Sequence, residues 1–315
     1  MRSEFEFIND IKSRYNLAKV GDDCAVLPKN DKTDLLITSD MLVEGVDFRL
    51  EWATPEQIGQ KALAVSLSDI AAMGGTPTYA MLSIAIVENL WKGDFLDRFY
   101  AGWHDLADEY SVEMIGGDVS RTSGPLTIDS TILGEVPKGR AVLRSGAKAG
   151  ESLYVSGTLG GAAGGLQLLL GNNVPNGAEA EILVSKQLLP APQILLGNLL
   201  QQQHLATATI DVSDGLSSDL MHLCHASGVG AEIDADKLPV EPSLHSFFTA
   251  EQCLEMALNG GEDFQLLFTA HPKQISAAHI NDVTRIGSIT ANTGVIELVA
   301  GDTRTRLEAR GYRHF

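Results

Sequence analysis

Apolar and polar residues fall into blocks along the chain, and the block lengths sort into strands and helices. Residues 34–38 and 79–87 are short aliphatic runs, and each predicts a buried strand. Between them Thr54 is placed to cap a helix beginning at Pro55, and Gly74-Gly75 followed by Pro77 is placed to end it. A second helix is predicted over 92–110, then strands over 111–115 and 127–136. The first half therefore reads β…β-α-β-α-β-β, an α+β arrangement. Residues 137–151, rich in Gly, Lys and Arg, read as a joint. Beyond it the pattern predicts a strand over 152–156, then a glycine-rich stretch, 157–165, leading into a helix over 166–170. A helix near 193–203, a strand over 206–212, a helix over 216–226 and a strand over 264–269 follow. The expectation is two domains, 1–138 as an α+β unit and 139–315 as an α/β unit.

Composition narrows the function. The 315 residues suit two cores of ordinary size, and 44% hydrophobic with 20% charged residues is globular rather than disordered. A net charge of −18 argues against nucleic acid or an anionic membrane as partner. It also makes any phosphorylated substrate dependent on cations. Cys24, Cys224 and Cys253 form no CxxC pair and read as reduced thiols. The opening residues are polar and acidic, unlike a signal peptide, and the longest apolar run is too short to span a bilayer. The expected location is cytoplasmic.

The candidate chemistry lies in carboxylates beside small residues at the edges of apolar runs. They are Asp22-Asp23, Asp40 after Thr38-Ser39, Asp69, Asp118 after Gly116-Gly117, Asp211 and Asp214 around Ser213, and Glu262-Asp263 after Gly260-Gly261. On the predicted helix Asp69 shares a face with Ala62, Val65, Ser66, Ala72 and Met73, so it should point inward. There it either caps a neighbouring turn or holds a metal or substrate. Asp40 ends a strand beside hydroxyls that suit Mg²⁺. Asp211 and Ser213 share a face of an extended chain, while Ser213 and Asp214 could alternatively cap the next helix.

Two carboxylates ~4 Å apart repel by about 4 kcal/mol at an effective dielectric near 20, so a convergent cluster must hold cations. Oxygen donors with almost no Cys or His among them point to Mg²⁺ rather than Zn²⁺, usually bound together with phosphates. The acidic sites read as a polyphosphate-binding surface built through metal ions. Among the alternatives, His222, His225 and Asp219 have a formal zinc spacing, but a satisfied or exposed histidine pair is the simpler reading. Residues 157–165 lack the GK[ST] ending of a Walker loop and read as a turn and helix start, with a phosphate contact as the alternative. No GxSxG is present.

Taken together, VGDDCAV, ITSDMLVEGVDF, LAVSLSDIAAMG, MIGGDVSR, RSGAKAGESLYVSGTLG, IDVSDGL and LNGGEDFQLLF resemble the thiamine-monophosphate kinase family, in that family's order. Gly311-Tyr312-Arg313-His314-Phe315 is similar to its C-terminus. The family belongs with aminoimidazole ribonucleotide synthetase, selenophosphate synthetase and a hydrogenase maturation factor. The resemblance implies an ATP-dependent kinase that converts thiamine monophosphate to the diphosphate. It further implies a homodimer whose N-terminal sheets form a barrel, and a C-terminal domain that closes over ATP.

Carried over by motif, Asp23, Thr38, Ser39, Asp40, Asp69, Asp118, Asp211 and Asp214 would hold several Mg²⁺ ions. Gly117, Asp118, Arg144 and Ser213 would touch ATP, with Tyr100 a further contact, and Arg144 would also stabilise charge. Asp47, Glu262 and Tyr312 would serve the acceptor. Asp47 stands where many members carry a histidine, and Ala309 where some carry an aromatic residue. No side chain is expected as general base, because the acceptor phosphate is already ionised at neutral pH. A selenophosphate synthetase would instead need a reactive cysteine and a lysine near the N-terminus, and the maturation factor a cysteine-bearing tail. An aminoimidazole-type synthetase is separated by the motif wording alone. A non-enzymatic cation buffer would need a calcium loop that is missing.

Overall fold

Alternation of inward and outward positions builds the first sheet. Over Thr33–Val43, Leu36, Thr38 and Leu42 are buried while Ser39 and Met41 are exposed. The computed structural model describes residues 4–171, 174–278, 280–312 and 314. Its first half runs α1 (Glu4–Tyr15), β1 (Ala25–Pro28), β2 (Thr33–Val43), α2 (Pro55–Ala72), β3 (Thr76–Ile86), α3 (Glu88–Trp91), α4 (Phe95–Tyr110), β4 (Glu113–Arg121) and β5 (Thr127–Pro137). The second half opens with β6 (Ser152–Ser156), α5 (Gly161–Leu170), α6 (Ala178–Leu188), α7 (Ile194–Gln202), β7 (Ala206–Asp211) and α8 (Leu216–Ser227). It continues with β8 (Gly230–Asp234), α9 (Ala250–Asn259), β9 (Leu266–Ala270), α10 (Pro272–Ala278), β10 (Val283–Thr290), β11 (Ile296–Ala300) and β12 (Thr303–Arg306).

These elements form two domains, each with a mixed sheet. The first sheet has the order β1-β2-β5-β3-β4, with β3 and β4 parallel. The second has the order β12-β11-β8-β10-β6-β9-β7, and of its pairs β8-β11 is the parallel one. It is thus a mixed, mainly antiparallel layer rather than the parallel repeats that an α/β label suggests. Among the described residues no helix is long and apolar enough to cross a membrane.

The helix predicted from Pro55 has its full capping box, with Thr54 and Gln57 bonding each other's backbone, and it ends before Gly74 at φ +68°. Several boundaries differ from the sequence reading. The predicted helix over 92–110 begins only at Phe95, as α4, and the short α3 ends just before the predicted start. The strand placed at 111–115 starts later, because Ser111 takes a left-handed φ of 56° as the helix closes. It also runs further, through Gly117, where an added Cβ would lie 1.8 Å from the Leu82 carbonyl. Helix α5 begins inside the glycine run rather than at 166, and β9 begins at Leu266 because Phe264 is left-handed, with φ 48°.

Helix α2 is the centre of the molecule. It packs on β2 and β5, on α4, and on α6, α7 and β7 of the second half. Glycines allow the close approach: a Cβ on Gly59 would lie 2.1 Å from the Phe99 carbonyl, and one on Gly197 2.0 Å from that of Ala71. Leu63, Leu67, Ile70 and Met73 are fully buried between the layers. Burial on every side also takes Lys61, Ser66 and Ser68 out of solvent. Polar groups so placed need partners, and those partners make the site.

Candidate active site

Three carboxylates from three distant segments converge beside α2. Asp23 precedes β1, Asp69 comes from α2 and Asp211 ends β7; each offers an oxygen within 4.8 Å of the others. Serine and threonine hydroxyls orient them. Ser68 donates to Asp211 at 2.6 Å, Ser66 donates to Asp40 at 2.6 Å, and Thr38 donates to Asp69. Arg144, from the segment joining the two halves, donates to Asp23 from Nη2 at 2.6 Å and from Nε at 3.2 Å. The second Asp23 oxygen is buried without a hydrogen-bond partner.

The electrostatics follow from burial and crowding. Desolvation, then the charges of Asp40, Asp211 and Asp23, push the Asp69 carboxyl well above the usual range against the Thr38 bond. Asp211 is pushed up to about 7, chiefly by burial and then by Asp23. Burial likewise raises Asp40 and Asp23, with Arg144 opposing it at Asp23. Three converging carboxylates, one of them with a buried oxygen that has no donor, are a hard-cation donor set. The residues therefore fit a magnesium-type ion, with Asp40 and the Thr38 hydroxyl at its border.

Other sequence-predicted residues lie elsewhere. Ser39 points to the far face of the sheet, where it bonds Asp129 and Thr131. Gly117 and Asp118 are exposed on the edge strand β4, with Ser120 donating to Asp118 at 3.4 Å. Tyr100 is half-buried on α4 beside Phe99, which faces the start of α2 at Gly59, whereas Asp69 is ten residues further along α2 and so about 15 Å away along its axis. Neither Ser213 nor Asp214 caps α8 with a side chain: Gly215 is its N-cap, and Asp219 reaches back to the Asp214 and Gly215 N–H groups. That use of Asp219 leaves the zinc reading of His222 and His225 without its carboxylate. The N-terminus of α5 likewise already holds an anion, because Asp263 accepts from Gly160 N at 2.6 Å and Ala162 N at 3.1 Å. Burial and the surrounding carboxylates hold the Cys24 thiol far above its usual range, so it lacks the thiolate character of a nucleophile.

Beside the cluster opens a cleft of about 480 Å³, lined by Asp40, Asp47, Ser213, Asp214, Glu262 and Tyr312, with Trp52 and Phe264 as its aromatic walls. Glu262 takes a left-handed φ of 67° between Gly261 and Asp263, and its N–H bonds the Ser213 carbonyl at 2.7 Å. Asp47 accepts from Val43 N at 2.7 Å, and burial raises its carboxyl. Sequence reading missed Lys61, which is 3% exposed and pairs with Glu262 at 2.8 Å. Its one signal was a cation in the helix interior, eight residues before Asp69.

Family models for AIR synthase related proteins match the chain in two parts, the N-terminal domain over residues 21–136 and the C-terminal domain over 148–299. Thiamine-monophosphate kinase of Escherichia coli (strain K12) is 40% identical over 305 residues, covering 94% of this chain and 91% of the relative. A solved structure of AaThiL complexed with AMPPCP and TMP superposes with a TM-score of 0.89 at 35% identity, covering 99% of this chain and 97% of the other. Thiamine monophosphate kinase from Aquifex aeolicus gives a TM-score of 0.82 at 33% identity, covering 95% and 97%. With this identity sustained over nearly its whole length, the chain belongs to the thiamine-monophosphate kinase family.

Proposed function

We propose that the chain transfers a phosphoryl group from ATP to thiamine monophosphate, forming thiamine diphosphate. The observation that carries this reading is the convergence of Asp23, Asp69 and Asp211 next to Asp40, which lines a cleft that also bears Asp47, Glu262 and aromatic rings. The carboxylate cluster suits metal-bound phosphates, and the carboxylates and rings that line the cleft suit a cationic heteroaromatic group. Asp23, Asp40, Asp69 and Asp211, with Thr38, would hold Mg²⁺, and Asp214 borders the same cleft. Bound there, magnesium would neutralise phosphate charge that a protein of net charge −18 otherwise repels.

The chain's own groups do the rest. Arg144 stabilises charge on the nucleotide from the edge of the cluster, and Ser213 contacts the phosphates from the cleft wall. Gly117, Asp118 and Tyr100 are assigned to ATP by family resemblance, and Ser39 and Asp118 to metal on the same ground. Asp47, Glu262 and Tyr312 orient the acceptor. No residue needs to remove a proton, since a phosphate monoester with a second pKa of about 6 is ionised at neutral pH.

We place the domain boundary at 138/139 and the protein in the cytoplasm, a location supported by its buried free cysteines. The C-terminal domain closes over ATP across the cleft. A homodimer with a shared barrel is supported by the edge strand β4 and by exposed Met41, Tyr79, Met81, Ile115 and Val119 on the first sheet. The test is ADP release with diphosphate formation from ATP and thiamine monophosphate, using free thiamine as control. Turnover with free thiamine alone, or none with the monophosphate, would sink the assignment.

A further inference from the structure

Lys61 is a buried cation with no catalytic assignment, and its surroundings give it one task. A lysine ammonium has three N–H donors. Here they meet the Asp47 carbonyl at 3.1 Å, the Gln187 carbonyl at 3.3 Å and Glu262 Oε1 at 2.8 Å. Those acceptors belong to the loop after β2, the end of α6 and the turn before β9. One side chain thus ties α2 to both sides of the cleft.

Each tied segment is fastened around the lysine. The loop after β2 is closed by Gly45 N to Phe48 O at 2.7 Å and by Val43 N to the Asp47 carboxylate at 2.7 Å. In the turn before β9, Asp263 is anchored on the α5 N-terminus and Phe264 N bonds Val212 O at 2.8 Å. Glu262, left-handed between these anchors, directs its carboxylate the other way, where Lys61 holds one oxygen and Gln187 Nε2 the other. Without the ammonium, Asp47 and Glu262 would face each other across the cleft as like charges.

Resting on the reading of this cleft as the acceptor site, we infer that Lys61 is a positioning residue for acceptor binding. It fixes the Glu262 carboxylate and the Asp47 loop, and acts on thiamine monophosphate through them. Its removal therefore weakens acceptor binding, while nucleotide binding, which rests on the carboxylate cluster and Arg144, is unchanged.

Steady-state kinetics test this, with thiamine monophosphate and ATP varied separately on the native chain, Lys61→Met, Glu262→Gln and the double variant. Lys61→Met is expected to raise the acceptor KM by about 10- to 100-fold while KM for ATP stays within about twofold. The double variant is expected to stay within about twofold of the larger single effect, because both changes break one contact. Equal rises in both KM values with a lowered melting temperature would mark a merely structural lysine and overturn the inference, as would fully additive single effects. Should Lys61→Met not fold, Lys61→Arg serves: a planar guanidinium cannot meet the same convergent acceptors, so acceptor KM rises alone. A native acceptor KM in Lys61→Arg would then overturn the role. If Glu262→Gln leaves the acceptor KM unchanged, the acceptor reading of the cleft fails and this inference with it. If Glu262→Gln raises it and Lys61→Met does not, the acceptor reading stands and the positioning role alone is lost.

Discussion

Arg144 binds one oxygen of Asp23 at 2.6 Å, the other Asp23 oxygen is buried with no hydrogen-bond partner, and the Asp23 carboxylate lies within 4.8 Å of oxygens of Asp69 and Asp211. The guanidinium is the cation in direct contact with this cluster. Arg144→Met leaves a buried charge uncompensated and should destabilise the metal-free protein by about 3–5 kcal/mol. Urea denaturation with EDTA and then with Mg²⁺ checks this. The loss should shrink when Mg²⁺ is present, and equal losses in both would count against a metal beside Asp23.

Asp69→Asn and Asp40→Asn should behave in the opposite way. Each removes a metal ligand and also a like charge that crowding and burial already disfavour. Turnover should fall by at least about 10²-fold, the scale of losing one well-placed charge-stabilising group. Melting in EDTA should occur at or above the native temperature. Strong destabilisation in EDTA, or near-native turnover, would remove these residues from the metal site.

Ligand linkage gives a third expectation. Saturation at 100 times the dissociation constant stabilises a protein by about 2.7 kcal/mol. The melting temperature should rise clearly with Mg²⁺ plus a non-hydrolysable ATP analogue and little with the analogue alone, given the net charge of −18. Equal shifts with and without metal would contradict binding through cations.

Asp263 carries a pH signature separate from the cluster. Burial pushes its carboxyl up to about 6, against the opposing Gly160 and Ala162 N–H bonds. An unfolded aspartate ionises near 3.9, so between about pH 4 and 6 the folded chain binds more protons than the unfolded chain. Its contribution to stability is full below about pH 4 and falls by about 3 kcal/mol as pH rises through 6. Asp263→Asn lacks this titration, so the stability of the native chain relative to the variant should decline across that window. Denaturation at a series of pH values reads the difference, and a flat difference would contradict the burial of this charge.

The proposed transfer without a general base predicts the form of the rate profile. With Mg²⁺ saturating, kcat should rise to a plateau as the acceptor phosphate ionises near pH 6. Asp47→Asn and Glu262→Gln should change acceptor KM and leave that form intact. Loss of an ionisation from the profile together with a fall in plateau kcat of about 10²–10⁴ would identify a base after all.

The sequence by itself determined the local grammar. Thr54, Pro55 and Gly74 bound α2, and the strands read at 34–38 and 127–136 lie within β2 and β5, although β2 continues through Asp40 to Val43 rather than ending beside it. It also displayed the donor type of the candidate site, since carboxylates beside hydroxyls and glycines are hard oxygen donors. Only the tertiary structure decided which donors meet. Asp23, Asp69 and Asp211 converge because sheet order and the all-round burial of α2 bring three separate segments together. Ser39, one residue from both Thr38 and Asp40, falls on the opposite face because side chains alternate along a strand. The sequence placed no cap on α5, since Asp263 reaches it from about a hundred residues away in the chain. Lys61 was passed over in the sequence, because its three acceptors come from segments that only packing assembles. Periodicity states which way a side chain points; what it meets there depends on long-range contacts that no local pattern encodes.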